Sequence, residues 1–268
     1  MLILNDQGSF NFIRSLIFID ELARAGITDV CISPGSRSTP LALAFYHHGE
    51  FNIHIIVDER SAAFFAMGIA KGSKLPVVLL CTSGTATANY FPAIIESDKT
   101  NIPLIIITAD RPLKLRNTGV NQIIDQIELY GNKVRCFEDI LEPNISEYNK
   151  SKIREYTDYL RNTACKIISS STKKYQNGPV HINFSFSKPL EPKNQNLIDG
   201  LKKLLTEDDL FKGKKGNLPF VSKILQKSEY NISNLENLMG LISDARRIIV
   251  LGGPQEDEKE LPNKITEL

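Results

Sequence analysis

The chain has 268 residues and a net charge of +1, with 42% hydrophobic and 24% charged residues. This near-neutral balance excludes the strongly basic surface that binding to nucleic acid or to an anionic membrane requires. No apolar run reaches the ~20 residues of a membrane-spanning helix, and the N-terminal segment lacks a secretory signal, so we expect a cytoplasmic protein. The 4 cysteines stand singly, which predicts free thiols rather than a zinc site or a disulfide framework.

Residues 1–192 have the pattern of an α/β domain. Apolar spacing over 9–25 predicts an amphipathic helix that ends at Gly26. Helix-like segments then alternate with short runs rich in β-branched residues: DVCIS, FNIHIIVD, PVVLLCTS and PLIIITAD. A helix at about 146–172 precedes a final strand, VHINFSFS. This alternation predicts a parallel sheet with helices on both faces.

The composition changes after residue 192. Residues 193–230 are rich in Lys, Asn and Leu, and they predict a linker with some helix. A helix and the strand RRIIVLGG follow within 231–268, which predicts the opening of a second α/β domain. Because one strand cannot form a sheet, we expect this second domain to be incomplete and the chain to be the front portion of a longer protein.

The segment SPGSRSTP follows the first predicted strand, and ligands of open parallel sheets bind at the carboxyl ends of strands. Gly35 permits a tight bend, Thr39 suits the cap of the next helix, and Pro40 suits its first turn. Ser36 and Arg37 are not needed for this turn. A hydroxyl and a guanidinium beside a helix N-terminus favour a carboxylate or a phosphate. A purely structural turn is the competing interpretation.

Glu59 follows the second predicted strand, in DERSAAFFAMGIAKG, where Asp58 suits the helix cap. An acid in the first turn of a helix interacts favourably with the helix dipole, and this is the simplest explanation of Glu59. The apolar residues on both sides also predict poorly solvated surroundings, in which a carboxyl group exchanges a proton with a ring nitrogen. The residues alone leave both interpretations open.

Two more strand ends add polar groups to the same edge of the sheet. Thr82 and Ser83 supply hydroxyls in TSGT, after the third strand. Arg111 follows the fourth strand in ADRP, and Asn121 and Gln122 come soon after it in GVNQ. Arginines, hydroxyls, amides and one carboxylate at one rim favour a small polyanionic organic ligand over a metal ion.

These segments occur in the same order in one family of thiamine-diphosphate enzymes. Over about 8–192 the sequence resembles the 2-succinyl-5-enolpyruvyl-6-hydroxy-3-cyclohexene-1-carboxylate synthases of menaquinone biosynthesis, most specifically in PGSRSTP and DER. The resemblance implies a pyrimidine-binding N-terminal domain, a central domain and a diphosphate-binding C-terminal domain. It also implies a transferase that decarboxylates 2-oxoglutarate and joins the succinyl group to isochorismate.

The resemblance implies roles for individual residues as well. Glu59 matches the catalytic glutamate that hydrogen-bonds the aminopyrimidine ring of the cofactor. Pro34, Thr82 and Ser83 match positions that contact the cofactor. The positions matching the substrate side of the site are Ser36, Arg37, Arg111, Asn121 and Gln122.

The family holds the diphosphate through Mg²⁺, or Mn²⁺ in its place, at a GDG segment of the third domain. This chain contains no GDG, so the metal ligands are expected outside it. The family also places the pyrimidine domain of one subunit against the diphosphate domain of another. We therefore expect a homodimer or a higher homo-oligomer, and no activity from this chain alone.

A stand-alone binding or regulatory module, without catalysis, is the alternative function of the same fold. A reading frame that continues beyond Leu268 into a GDG domain favours the enzyme, whereas one that ends there favours the module.

Overall fold

The computed structural model describes residues 6–116, 118–143, 149–172, 176–193, 196–221, 232–244 and 246–247. The chain divides into two compact units, Met1–Ser222 and Lys223–Leu268. In the second unit the structure describes one helix, Ile232–Asp244, where the sequence predicts a helix. Most of the predicted strand RRIIVLGG lies outside the described residues.

A six-stranded parallel sheet forms the centre of the first unit. Its spatial order is β2-β1-β3-β4-β6-β5, and each neighbouring pair is parallel. The carboxyl ends of all six strands therefore lie at one edge, and the predicted parallel sheet is confirmed. The strands are β1 (Asp29–Ile32), β2 (Asn52–Ile55), β3 (Val77–Cys81), β4 (Leu104–Asp110), β5 (Phe137–Ile140) and β6 (Val180–Ser185).

Helices cover both faces of this sheet, as predicted. One core joins α1, α2, α6 and α7 to the face that carries Val78 and Leu80, and a second core joins α3, α4 and α5 to the face that carries Val77 and Leu79. Since successive strand residues point to opposite faces, β3 is apolar at every position. The helices are α1 (Gln7–Arg24), α2 (Thr39–His48), α3 (Glu59–Ser73), α4 (Thr85–Asn89), α5 (Phe91–Thr100), α6 (Lys150–Ser171) and α7 (Asn196–Glu207).

No helix among the described residues has the length and apolar composition needed to cross a bilayer.

Strand β5 is an edge strand that the apolar pattern does not predict. Its sequence is FEDI, and only Ile140 is fully buried. Asp139 binds the guanidinium of Arg116 through two hydrogen bonds of 2.8 and 3.0 Å, and Glu138 pairs with Lys166. Hydrophobic periodicity fails here because ion pairs take the place of apolar burial on this strand.

Part of the predicted linker packs onto the first unit. Helix α7 buries Ile198 and Leu205 in the core, and Phe211 is buried beyond it. The carbonyl oxygen of Phe211 accepts a hydrogen bond of 2.8 Å from the fully buried Arg161 of α6. The segment 196–211 is thus held by core packing, while the division into 1–192, 193–230 and 231–268 stays a prediction.

A buried ion cluster connects α1 to α6. The Nη1 atom of Arg161 lies 2.7 Å from a carboxylate oxygen of Asp20 and 2.7 Å from one of Glu21. Burial opposes ionisation of Asp20. Its hydrogen bond with His48, the charge of Arg161 and hydrogen bonds from Arg161 and Arg24 outweigh burial and lower its pKa to about 2. Arg24 supplies the second of these arginine contacts, at 2.8 Å. Loss of one cation from such a cluster leaves a buried carboxylate without compensation.

Replacing Arg161 by Ala should therefore lower the free energy of unfolding by about 3–5 kcal/mol, as for other broken buried pairs. Arg154→Ala on the same helix is the matched control. Its pair with Asp158 is 38% and 39% exposed, and exposed pairs contribute under about 1 kcal/mol. Urea denaturation of both variants measures the difference. Equal losses would contradict the role assigned to the buried cluster.

His181 is fully buried on β6 between the rings of Tyr130 and Phe137. Its Nε2 lies 2.8 Å from the hydroxyl oxygen of Thr108. Burial lowers the pKa of His181 to about 3. The folded chain therefore holds His181 neutral at pH 5, where an unfolded histidine is protonated.

Because the unfolded state binds the extra proton, stability should fall as the pH drops from about 6.5 towards 3. His181 should lower the free energy of unfolding by about 2 kcal/mol between pH 7 and pH 5. Urea denaturation at both pH values, with the non-titrating His181→Gln variant alongside, measures it. The same pH dependence in the variant and in the unmodified chain would refute the assignment.

Candidate functional site

The order of the strands reverses at the carboxyl ends of β1 and β3. The chain passes from β1 to β2 on one side and returns to pair β3 on the other side of β1. Connections that leave in opposite directions open a crevice at such a point. The segments SPGSRSTP and TSGT follow these two strands and meet there.

The turn after β1 forms through its own side chains. The Ser38 hydroxyl donates to the carbonyl oxygen of Gly35 at 2.9 Å, and the Thr39 hydroxyl donates to that of Ser36 at 2.8 Å. Helix α2 begins at Thr39, with Pro40 in its first turn. The cap position is therefore Ser38, and the prediction that Thr39 caps the helix is wrong. Thr39 bonds backward into the turn instead.

Gly35 and Thr82 hold the two loops in close contact. A Cβ atom on Gly35 would lie 2.4 Å from the Cβ of Thr82, so this position has no room for a side chain. The backbone N–H of Arg37 donates to the Thr82 hydroxyl at 3.2 Å. Thr82, a predicted cofactor contact, is thus buried where it joins the loops, whereas Pro34 and Ser36 are exposed.

Glu59 is the first residue of α3 and lies at the carboxyl end of β2. Asp58 caps this helix as predicted, because its carboxylate accepts a 2.7 Å hydrogen bond from the N–H of Ser61. Glu59 is half-buried and has no capping role. Burial raises the pKa of the Cys81 thiol at the end of β3, and the charge of Glu59 adds to this shift. The carboxylate is therefore within electrostatic reach of the reversal point.

Large apolar side chains near Glu59 are exposed. The exposed fractions are 60% for Ile55, 82% for Val57, 37% for Phe64 and 49% for Phe65. The described residues of this chain therefore do not provide the poorly solvated surroundings that the sequence predicts, because these side chains face solvent. Several large apolar side chains exposed around one position are typical of a place where another surface packs.

Arg111, which follows β4, lies together with three other predicted residues. Its guanidinium donates to the Ser83 hydroxyl and, at 2.7 Å, to the carbonyl oxygen of Asn121. The side-chain amide of Gln122 donates to the carbonyl oxygen of Ser83 at 3.0 Å. Gly84 is required at this point, since its φ is +85° and a Cβ would lie 2.9 Å from the Gln122 side chain.

Arg37 and Arg111 line one pocket of about 530 Å³. The Nη1 atom of Arg37 donates to the carbonyl oxygen of Phe186 at 2.7 Å. Burial and the nearby charge of Arg111 lower the pKa of Arg37, and burial lowers that of Arg111. No acid is present among the nine described lining residues, which are Arg37, Arg111, Pro112, Lys114, Leu115, Val120, Asn121, Ser187 and Lys188. This excess of positive charge suits an anionic ligand.

The predicted residues thus fall into two groups. Arg37, Arg111 and Asn121 line the pocket defined above, which we call the arginine pocket. Thr82 joins the loops at the crevice between β1 and β3, and Glu59, which follows β2, is close enough to this crevice for its charge to act on Cys81. Sequence reasoning missed Lys114 and Lys188 in the pocket lining. Lys188 had a usable signal, because it follows a predicted strand at the same edge of the sheet.

A buried polar network supports the loops from behind. The N–H of Gly84 donates to the Gln126 side chain at 3.0 Å, and Gln126 donates to Asn183 at 2.8 Å. Asn183 donates in turn to Asp110 at 3.0 Å and to Asp139 at 2.9 Å. Sequence reasoning missed this network because isolated polar residues carry no sign of which partners the fold brings to them. It ties the TSGT turn to the ends of β4, β5 and β6.

Within the described part of the chain, no three His, Cys, Asp or Glu side chains are placed to hold a metal ion.

Comparison with known proteins shows which proteins this chain is similar to. Residues 15–129 match the family described as "Thiamine pyrophosphate enzyme, N-terminal TPP binding domain". The chain is 51% identical over 175 residues to the 2-succinyl-5-enolpyruvyl-6-hydroxy-3-cyclohexene-1-carboxylate synthase of Listeria innocua. Identity to the proteins of the same name from Halobacterium salinarum and Oceanobacillus iheyensis is 41% over 240 residues and 38% over 252 residues.

These three alignments cover 65%, 88% and 94% of this chain, but only 29%, 39% and 40% of the relatives. The chain therefore spans less than half the length of the curated relatives it matches. The resemblance predicted from the sequence motifs is confirmed.

Replacing Gly35 by Ala should force the two loops apart and lower the free energy of unfolding by about 1–3 kcal/mol, the usual cost of overpacking. Gly68→Ala in α3 is the control, because a Cβ there meets nothing within 4 Å and Ala favours a helix by about 1 kcal/mol. Urea denaturation compares the two. Equal stability of the Gly35 variant and the unmodified chain would show that the contact with Thr82 does not constrain the loops.

Proposed function

From the premise that this chain carries the N-terminal domain of a thiamine pyrophosphate enzyme and is homologous to these synthases, we propose that it supplies the pyrimidine-binding half of their active site. The complete protein is proposed to decarboxylate 2-oxoglutarate and to join the succinyl group to isochorismate in menaquinone biosynthesis. The position of Glu59 at the strand-order reversal, beside an exposed apolar surface, is the observation that carries this proposal.

The residues at the crevice fit the ring end of thiamine diphosphate. Glu59 offers a carboxyl group to a ring nitrogen, and Val57 and Phe64 offer exposed apolar surface to an aromatic ring. Pro34 is exposed at the rim, and Ser83 lies in the adjacent loop, where it is fully buried. We assign the diphosphate to a part of the protein outside this chain, because the family holds it at a GDG segment and this chain has none.

Thiamine diphosphate supplies, when bound, the carbon centre that reacts with a 2-oxo acid. The contribution of Glu59 is to hold a proton at its carboxyl oxygen and to share it with the pyrimidine nitrogen. A carboxyl group fixed at the start of α3 can accept this proton and return it, as acid-base catalysis requires.

The arginine pocket is the proposed substrate side. Contacts with Ser83 and Asn121 orient Arg111, and the contact with Phe186 orients Arg37, before any ligand arrives. A carboxylate of isochorismate or 2-oxoglutarate can then bind without first ordering either guanidinium. Ser36 and Gln122 are exposed nearby and are assigned hydrogen bonds to polar substrate groups.

The exposed apolar side chains near Glu59 support an assembly. We assign their cover to a second subunit of a homodimer or a higher homo-oligomer. Mg²⁺ or Mn²⁺ is assigned to the part of the protein that also holds the diphosphate, as the resemblance implies. A cytoplasmic location completes the proposal.

One observation favours the non-catalytic alternative. The nine residues of the arginine pocket all come from this chain, so a stand-alone module could bind an anion with them. Such a module makes no use of Glu59. The two functions therefore differ in whether Glu59 acts on thiamine diphosphate.

Replacing Glu59 by Gln in the complete protein, loaded with thiamine diphosphate and Mg²⁺, should slow exchange of the cofactor's C2 proton by at least about 100-fold. Proton NMR in deuterium oxide measures this exchange. Asp58→Asn is the matched control, since it also replaces an acid by its amide but retains a residue that caps helices well. Exchange in the Glu59 variant within a few-fold of the unmodified protein would refute the catalytic role.

A further inference from the structure

Two lysines extend the arginine pocket towards solvent. Lys114 lies in the short 3₁₀ turn Leu113–Leu115 after β4, and Lys188 follows β6. Both lysines are exposed, whereas Arg37 and Arg111 are half-buried. The pocket thus has an inner pair of arginines and an outer pair of lysines. The function proposed above makes no use of the outer pair.

The acids nearest to this pocket contact Arg116 or the pocket residue Ser187 and leave the two lysines unpaired. Asp110 and Asp139 pair with Arg116 at 3.0 and 2.8 Å. Glu142 accepts a hydrogen bond of 3.2 Å from the backbone N–H of Ser187 and another from its hydroxyl. The charges of Asp110 and Glu142 act on Arg37, and that of Asp110 acts on Arg111. Neither Lys114 nor Lys188 forms an ion pair with any described residue, so the outer pair is the part of the pocket without an acidic partner.

The number of cations exceeds what one carboxylate can use. Two guanidinium groups already saturate the oxygens of a single carboxylate, because each presents a fork of N–H donors. Pro112, Leu115 and Val120 line the same pocket and offer apolar surface to a carbon skeleton. A ligand with two anionic groups joined by such a skeleton matches this lining from end to end.

We propose that Lys114 and Lys188 bind the second carboxylate of a dicarboxylate whose first carboxylate is held by Arg37 and Arg111. The inference rests on the proposed function and narrows it, since both proposed substrates are dicarboxylates. The lysines are specificity residues, because they distinguish dicarboxylates from monocarboxylates that fill the inner pair alone.

The test uses the 268-residue chain and two stable probes, benzene-1,3-dicarboxylate and benzoate. Calorimetric titration at constant ionic strength gives both affinities. The double variant Lys114→Gln and Lys188→Gln should bind the dicarboxylate about fivefold more weakly, as expected for two exposed ion pairs, and benzoate within about twofold of normal. Lys152→Gln with Lys203→Gln makes the same change in net charge on α6 and α7, and should bind both probes normally.

Several results would overturn the inference. An equal loss for both probes would mean that the lysines act only by long-range attraction, and the control pair would then show a similar loss. Normal binding of the dicarboxylate by the lysine variant, or no binding of it by the unmodified chain, would also overturn the inference.

Arg37→Gln separates this inference from the proposed function. We expect it to weaken binding of both probes, because it removes half of the inner pair. If it does so while the lysine variant binds both probes normally, the lysines do not bind the second carboxylate. The assignment of the first carboxylate to the arginines is then unaffected. If it changes neither affinity, the first carboxylate is not held as proposed and the inference fails. Proton exchange in the Glu59 variant tests the cofactor half without involving either lysine.

Discussion

Burial of the sheet on both of its faces is the constraint on which the rest of this structure depends. Strands β3 and β4 have helices above and below them, so their side chains are almost all apolar. Charged groups that serve binding are therefore excluded from these strands and lie beyond their ends. Since every strand is parallel, all of these ends lie at one edge. The chemistry of the molecule is concentrated there for this reason.

The two halves of the candidate site differ in how complete they are. The arginine pocket is built and oriented by residues of this chain, and the buried network through Gln126 and Asn183 supports the loops around it. The crevice at Glu59 is open, because its apolar neighbours face solvent. An anion site needs only oriented charges, whereas proton sharing by a carboxyl group needs a second surface that excludes water. The open crevice is therefore the part of the site that depends on assembly.

Much of the fold was predictable because buried parallel strands have a distinctive sequence. The five apolar runs, including the one that becomes β3, all form strands, as their length and β-branched content indicate. Four of them are buried along most of their length, whereas β2, at the edge of the sheet, is partly exposed. Strand β5, FEDI, was not predicted, because the charge of Asp139 is paired with Arg116, which lies 23 residues earlier in the chain. Packing of Ile198 and Leu205 of α7 was missed for a similar reason, since their partners lie on helices far away in the sequence.

The sequence by itself determined which residue types stand at each strand end. Local rules suffice for that, because a strand end and a helix start are defined by a few neighbouring residues. The roles of Glu59, Arg37 and Arg111 stay predictions, which the family resemblance adds to the residue types. Tertiary structure decided which of these residues share a pocket, added Lys114 and Lys188 to it, and left Glu59 at an open crevice. Contacts between distant segments depend on how helices and strands pack, and no local pattern in the chain records that packing.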